Sequence, residues 1–298
     1  MCVHAGTALP AMKRRRHRTG DGVRPAARVL AGLWLLGLAV AGSAGELVFT
    51  APPREAPEAG HKLYAPLARH LSRLLGRPVR YEHPGNWRNY QRRMRNDRYD
   101  IVFDGPHFAA WRIAHLGHRV VVKLPGTLRF YLLVRAGDKQ IRAPADLAGR
   151  TICSLPLPHL STLSVLHRYR NPVRQPELKA VRGGMGMVYK AFAGGGDCDA
   201  LVLRARYYHR NMNEAQRRRL RIIYRSPRLP DQVITVSRRL APADSARMLE
   251  SLTTGPGRTA AAGIVQRFGG RKVRGFVAAR PEEYQGYNEL LEGVVFGW

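Results

Sequence analysis

The chain has 298 residues, 45% of them hydrophobic, and a formal net charge of +29 at pH 7. This length suits two domains of modest size, and the charge admits an acidic solute, an anionic membrane or nucleic acid as a partner. The basic residues are scattered through residues 88–98, 204–225 and 267–274 instead of being gathered in one tail. We therefore interpret most of them as solvated surface and expect no nucleic-acid partner.

The first 44 residues show the order of features that is typical of a secretory signal peptide. A cationic segment at residues 13–18 precedes an apolar segment at 29–40, and small residues at 39–44 come before Glu46. The apolar segment is shorter than the roughly 18 to 20 residues that span a bilayer, and an uncleaved anchor is the alternative. We predict export to the periplasm, with cleavage between Ala41 and Glu46.

Strand-like and helix-like segments alternate through the rest of the chain. We predict strands at 47–51, 79–81, 99–103, 128–134, 151–154, 201–203, 222–224 and 233–236. We predict helices at about 62–75, 86–96, 107–115, 187–192 and 243–253, a helical turn at 143–147 and a further helix that begins near residue 161. Such alternation is typical of α/β proteins with parallel sheets.

Turn and polar residues follow two of these strands at their carboxyl ends. Asp104, Gly105 and Pro106 follow the third predicted strand, and Asp231 follows the seventh. Because open α/β sheets bind ligands at the carboxyl ends of their strands, these residues are candidates for a binding site.

Ser161 and Thr162 stand where the helix after the fifth strand begins. Their hydroxyls and the free backbone N–H groups of the first turn would face the same point, which favours an anion site. An ordinary helix cap is the alternative, since serine and threonine are common at that position.

The sequence lacks the common motifs of enzymes. It contains no His-Glu-x-x-His, Gly-x-Ser-x-Gly, phosphate-binding loop or Cys-x-x-Cys motif, and residues 183–186 do not fit the dinucleotide-binding pattern. We therefore predict no catalytic residues and no cofactor, and a binding protein rather than an enzyme.

Cys153 and Cys198 form the only intramolecular pair that is left once Cys2 departs with the leader. Both lie at the ends of strand-like segments that would be neighbours in a parallel sheet. We predict a disulfide bond between them, with two separate buried thiols as the alternative. A zinc site would need further ligands close by.

Eight segments, in this order along the chain, resemble the periplasmic phosphate, phosphite and phosphonate-type substrate-binding proteins of ABC transporters. The segments are residues 64–79, 99–106, 131–135, 145–152, 160–162, 196–200, 224–230 and 284–287. The resemblance implies a two-lobed, type II periplasmic-binding-protein fold, in which each lobe is a mostly parallel sheet flanked by helices and two hinge strands join the lobes. Lobe one would comprise residues 46–127 and 229–298, and lobe two residues 128–228.

The resemblance also implies which residues form the pocket. Trp87 matches an aromatic residue of the family at the start of the second helix, and Ser161 and Thr162 match two residues of a Ser-Thr-Ser-Gly run. Asp104 stands where the family has an aromatic residue, and Met185 stands where it has a histidine.

Asp231 lies near the position of a family carboxylate that meets the amine of the ligand in phosphonate binders. We expect Ser161 and Thr162 to hold an anionic group, with Asp104 facing them across the cleft. The solute is then small and anionic or zwitterionic, because an unpaired carboxylate would repel a plain dianion.

The resemblance implies a monomer that delivers its solute to an ABC permease at the inner membrane. The alternative is a periplasmic sensor that reports the ligand to a membrane kinase. A third interpretation, a binder of nucleic acid or of envelope polyanions, would show as binding that is lost as salt concentration rises.

Overall fold

A computed structural model describes residues 45–195, 197–270 and 272–292. The predicted signal peptide lies outside the described residues. Within them, no helix combines the length and the apolar character that a membrane crossing requires.

The described residues form thirteen strands and eleven α-helices. The strands are β1 (Leu47–Thr50), β2 (Val79–Tyr81), β3 (Ile101–Asp104), β4 (Arg119–Lys123), β5 (Thr127–Leu128), β6 (Phe130–Arg135), β7 (Thr151–Ser154), β8 (Glu177–Ala180), β9 (Ala200–Arg204), β10 (Leu220–Arg225), β11 (Leu229–Pro230), β12 (Val233–Val236) and β13 (Val277–Ala278). The helices are α1 (Pro57–Leu75), α2 (Trp87–Arg95), α3 (Pro106–Leu116), α4 (Leu160–Leu166), α5 (Met185–Ala193), α6 (Ala205–Arg210), α7 (Glu214–Arg218), α8 (Pro242–Thr253), α9 (Gly257–Ala260), α10 (Ala262–Ile264) and α11 (Glu289–Glu292). Three short 3-10 helices, at Pro144–Leu147, Pro172–Arg174 and Pro281–Tyr284, and a π-helical turn at Val265–Gly269 complete the set.

Most strands belong to one of two sheets. Sheet A has the order β13-β4-β12-β3-β1-β2, and sheet B has the order β10-β6-β9-β7-β8. Between the sheets the chain passes through β5 and returns through β11, and these two short strands pair with each other in antiparallel register. The two-lobed α/β architecture that the resemblance implied is confirmed, while the exact lobe boundaries stay a prediction.

Both sheets are mixed, with less parallel pairing than the sequence led us to expect. In sheet A, β1 pairs in parallel with β2 and β3, but β12 runs antiparallel to β3 and β4. In sheet B, β7 pairs in parallel with β8 and β9, but β6 runs antiparallel to β9 and β10. Strands β6 and β12 are the first strands that the chain forms after each crossing between the sheets. Each runs opposite to the parallel strands of the sheet that it enters.

Helix α1 shows how the sequence produces these lobes. Tyr64, Leu67, Leu71 and Leu75 recur at helical spacing and are buried against sheet A, because side chains three and four residues apart share one face. The helix begins earlier than predicted, with Pro57 in its first turn, where a missing N–H costs nothing. It ends at Gly76, whose left-handed backbone, with φ of 66°, favours glycine.

The predicted disulfide between Cys153 and Cys198 is present. Cys153 belongs to β7, and Cys198 lies just before its parallel neighbour β9, so the two Cα atoms are 5.6 Å apart. The bond ties two strands of sheet B whose cysteines are 45 residues apart in sequence.

Candidate functional site

A cavity of about 1040 Å³ lies between the two lobes. Its walls are formed by residues 52–54, 85–87, 105, 107–108, 128, 130, 155–160, 182–185, 204, 232 and 267–268. Segments 52–54, 105–108, 155–160 and 182–185 follow the carboxyl ends of β1, β3, β7 and β8. The cavity therefore occupies the usual ligand position of open α/β sheets.

Four arginines supply the charge of the cavity wall. They are Arg54, Arg182, Arg204 and Arg267, and the described wall contains no aspartate or glutamate. A cationic cleft with apolar, low-dielectric walls focuses its field and attracts anions.

The guanidinium groups of Arg54 and Arg267 both lie close to the ring of Phe268. The guanidinium of Arg54 lies 4.5 Å from the ring centroid, and that of Arg267 lies 5.2 Å from it. Arg54 Nη2 also donates to the carbonyl oxygen of Phe103, at 3.3 Å. Arg267 Nη2 lies 3.5 Å from Glu55 Oε1. These contacts orient both cations before any ligand arrives.

The π-helical turn places Phe268 and Arg267 at the cavity. Such turns displace one residue from the regular helical register and are frequent at functional sites. Here the turn lets Phe268 pack into the core of the lobe built on sheet A while Arg267 stays exposed.

Asp231 is paired with Arg204. Arg204 Nη2 lies 3.3 Å from Asp231 Oδ2, and the backbone N–H of Gln232 donates to Asp231 Oδ1 at 2.8 Å. Burial raises the pKa of Asp231 against the opposing effect of Arg204, and burial lowers the pKa of Arg204. Asp231 therefore does not line the cavity itself but forms an ion pair with an arginine that does.

Asp104 is buried beneath the cavity and neutralised by an arginine. Its side chain and that of Arg112 are 0% exposed, and Arg112 Nη1 lies 2.5 Å from Asp104 Oδ2. The hydroxyl of Tyr90 donates to the same oxygen at 2.5 Å and also contacts Arg112 Nη2. Burial raises the pKa of Tyr90 well above its usual value. The expectation of an unpaired carboxylate that repels a dianion across the cleft is therefore corrected.

The hydroxyls of Ser161 and Thr162 have partners inside their own segment. Thr162 Oγ1 donates to the carbonyl oxygen of Leu155 at 2.6 Å, and Ser161 Oγ lies 2.7 Å from His159 Nδ1. The cap of α4 is His159, whose Nδ1 also accepts the N–H of Ser161 at 3.1 Å. Both hydroxyl residues are buried and absent from the cavity wall, because α4 turns them back toward the strand that precedes it.

Two histidines of the wall are uncharged. Burial lowers the pKa of His107 to about 3 and that of His159 to about 4. His107 Nε2 lies 3.2 Å from the carbonyl oxygen of Pro158, which makes this nitrogen the donor and links α3 to the loop after β7. A Cβ on Gly105 would lie 2.9 Å from His107 Cε1, so glycine at this position lets the ring approach the backbone.

Three of the predicted site residues, Trp87, Gly105 and Met185, line the cavity. Asp104, Pro106, Ser161, Thr162 and Asp231 are buried beside it and do not line it. Sequence reasoning missed the four arginines and the two histidines. Arg54, Arg204 and both histidines come shortly after predicted strands, a position that many basic residues of this chain share. Arg182 and Arg267 follow no predicted strand and carried no sequence signal.

The described residues contain no group of three or more histidines, cysteines, aspartates or glutamates that could hold a metal ion.

A family profile described as "ABC transporter, phosphonate, periplasmic substrate-binding protein" matches residues 49–284. The chain belongs to this family. The phosphonate-type family consists of solute-binding proteins of ABC transporters rather than enzymes, which agrees with the absence of catalytic motifs. No curated protein matches the chain.

Several solved structures share the fold. XAC2383 from Xanthomonas citri, solved with chloride and with ATP, is 18% identical, with TM-scores of 0.64 and 0.63, and covers 83% of this chain and 96% of its own. PhnD1 from Prochlorococcus marinus, solved with methylphosphonate, is 13% identical, with a TM-score of 0.59, and covers 84% of this chain and all of its own. A binding component of a phosphonate transporter from Pseudomonas aeruginosa is 14% identical, with a TM-score of 0.54, and covers 83% of this chain and 85% of its own.

Proposed function

We propose that the protein captures a small dianionic solute of the phosphonate or phosphate type between its lobes and delivers it to an ABC permease. The observation that carries the proposal is the cavity wall, which holds four arginines and, among its described residues, no carboxylate. Glu55 and Asp231 each lie beside one of these arginines, so two positive charges are left to face a ligand. This excess matches the charge of a phosphonate dianion.

A plain anion fits this wall better than a zwitterion does. Asp104 is engaged by Arg112, and Asp231 is engaged by Arg204. Neither carboxylate lines the cavity, where it would have to meet the amine of a zwitterionic ligand. The solved relatives support an anionic ligand, since XAC2383 was solved with chloride and with ATP, and PhnD1 with methylphosphonate.

Binding would proceed by lobe closure. In our proposal the lobe of residues 46–127 and 229–298 moves against residues 128–228 about the paired strands β5 and β11. A ligand that contacts arginines of both lobes selects the closed arrangement, because only that arrangement lets all of them reach it.

Calorimetry with methylphosphonate and inorganic phosphate tests the proposal. We expect both to bind the mature protein, and Arg54→Gln and Arg267→Gln each to weaken methylphosphonate binding about tenfold or more, since each removes a charge-assisted hydrogen bond. Arg69→Gln, on an exposed face of α1, is the matched control and should leave binding unchanged. If all three variants bind methylphosphonate as tightly as the unmodified protein does, the cavity is not the anion site.

Stimulation of the permease ATPase by the loaded protein tests delivery and separates transport from sensing.

A further inference from the structure

Part of the cavity wall is apolar. The arginines come from both lobes, with Arg54 and Arg267 from the lobe built on sheet A and Arg182 and Arg204 from the lobe built on sheet B. The loop after β7 adds Leu155, Pro156, Leu157 and Pro158 to the wall, and Met185, which belongs to the same hydrophobic cluster as Leu155, also lines it. We call residues 155–158 with Met185 the apolar wall.

The apolar wall has few groups that could hold an oxyanion. Pro156 and Pro158 have no backbone N–H, and the N–H of His159 donates to the carbonyl oxygen of Pro156 at 3.1 Å. The hydroxyl of Thr162 is engaged by Leu155, as described above. A phosphonate group placed against this wall would lose its water without gaining donors, which is unfavourable. The anionic group of a ligand therefore belongs at the arginines.

The cavity is also larger than a bare anion requires. Its volume of about 1040 Å³ lies at the upper end of the roughly 300 to 1,000 Å³ that is usual for pockets of drug-sized ligands. A phosphate or methylphosphonate ion at the arginines would leave the apolar wall and the indole of Trp87 without a ligand contact. Trp87 stacks on Phe108 with centroids 6.0 Å apart, so both rings are held at the cavity wall.

We propose that the solute is an organophosphonate or phosphate monoester with a sizeable apolar substituent, aryl or alkyl, that packs against the apolar wall. This inference rests on the proposed function, since it assigns the anionic end to the same arginines. Burial of the substituent supplies affinity that inorganic phosphate cannot obtain, because the gain scales with the apolar area removed from water.

Calorimetry with three ligands tests this substrate class. The ligands are methylphosphonate, phenylphosphonate and glucose 6-phosphate, which share the anionic group and differ in the substituent. We expect phenylphosphonate to bind at least about tenfold more tightly than either of the others. Methylphosphonate binding of equal strength, or tighter binding of the sugar phosphate, would overturn the inference and leave the proposed function standing. Failure of all three to bind would overturn the proposed function itself.

A pair of methionine variants locates the effect. Met185→Ser should reduce the preference for phenylphosphonate over methylphosphonate by fivefold or more, because it replaces an apolar contact of the substituent with a hydroxyl. Met187→Ser is the matched control, since Met187 lies on the same helix, is 46% exposed and does not line the cavity. An unchanged preference in Met185→Ser would overturn the placement of the substituent. If that variant does not fold, the ligand ranking of the unmodified protein still decides the inference.

Discussion

At the scale of single residues, the chemistry of the site depends on which charges are paired. Asp104 and Asp231 both follow predicted strands, as ligand-binding carboxylates often do, yet each is engaged by an arginine. The sequence did not distinguish the arginines of the wall from those of the surface. An arginine in a cleft and an arginine in solvent can have the same kinds of neighbours along the chain. Ion pairing and burial therefore determine the net charge that the site presents to a ligand.

The pair of Asp104 and Arg112 leads to a test of stability. Asp104→Asn should destabilise the protein by about 3 to 5 kcal/mol, because it leaves the buried guanidinium of Arg112 without its counter-charge. Tyr90→Phe should cost only about 1 to 2 kcal/mol, since it removes one hydroxyl from the same cluster.

Urea denaturation of both variants and of the double variant Asp104→Asn/Arg112→Met measures this coupling. The double variant should recover part of the loss. If Asp104→Asn keeps its stability and instead changes ligand affinity, Asp104 belongs to the pocket as the sequence led us to expect.

At the scale of elements, the strands and helices followed largely from local pattern. Strands β2, β7 and β12 have the bounds that the sequence predicts. Strand β4, strand β8 and the short helices α6 and α7 were not predicted. Strand β4 is ordered by pairing with β12, and strand β8 by pairing with β7, which a local pattern does not show.

The disulfide gives a prediction at this scale. Its cysteines are 45 residues apart. In the chain-entropy account, closing a loop of that length raises the free energy of the unfolded state by about 4 kcal/mol. The double variant Cys153→Ala/Cys198→Ala should therefore unfold at lower urea concentration than the oxidised protein. Reductant should lower the stability of the unmodified protein and leave that of the double variant unchanged. Two free thiols in unreduced, denatured protein would contradict the bond.

At the scale of the whole molecule, a contact of Arg206 joins the two lobes. Arg206 lies on α6, directly after a strand of sheet B, and its Nη1 donates to the carbonyl oxygen of Gly269 at 2.5 Å. Gly269 closes the π-helical turn that packs in the other lobe. The next residue, Gly270, has a φ of 79°, and a Cβ there would collide with the guanidinium of Arg206.

Removal of this contact should favour the open arrangement of the lobes. We expect Arg206→Met to enlarge the radius of gyration of the ligand-free protein in small-angle scattering and to weaken methylphosphonate binding by up to about tenfold, since one partly buried hydrogen bond to a carbonyl is worth about 1 kcal/mol. Arg210→Met, on the exposed end of the same helix, is the control. An unchanged radius and affinity in Arg206→Met would show that the contact does not bias closure.

The sequence by itself determined the class of the protein. The evidence was the alternation of strands and helices, one cysteine pair and eight family segments in order, and each of these depends only on neighbouring residues or on order along the chain. Only the tertiary structure decided the site. Arg54, Arg204 and Arg267 are brought to one cavity by three separate strands and turns, and their partners lie across the fold. The turning of Ser161 and Thr162 away from that cavity depends on the direction in which α4 leaves β7. Charge pairing and side-chain direction result from packing between segments that are distant in sequence. They cannot be read from the neighbours of a residue along the chain.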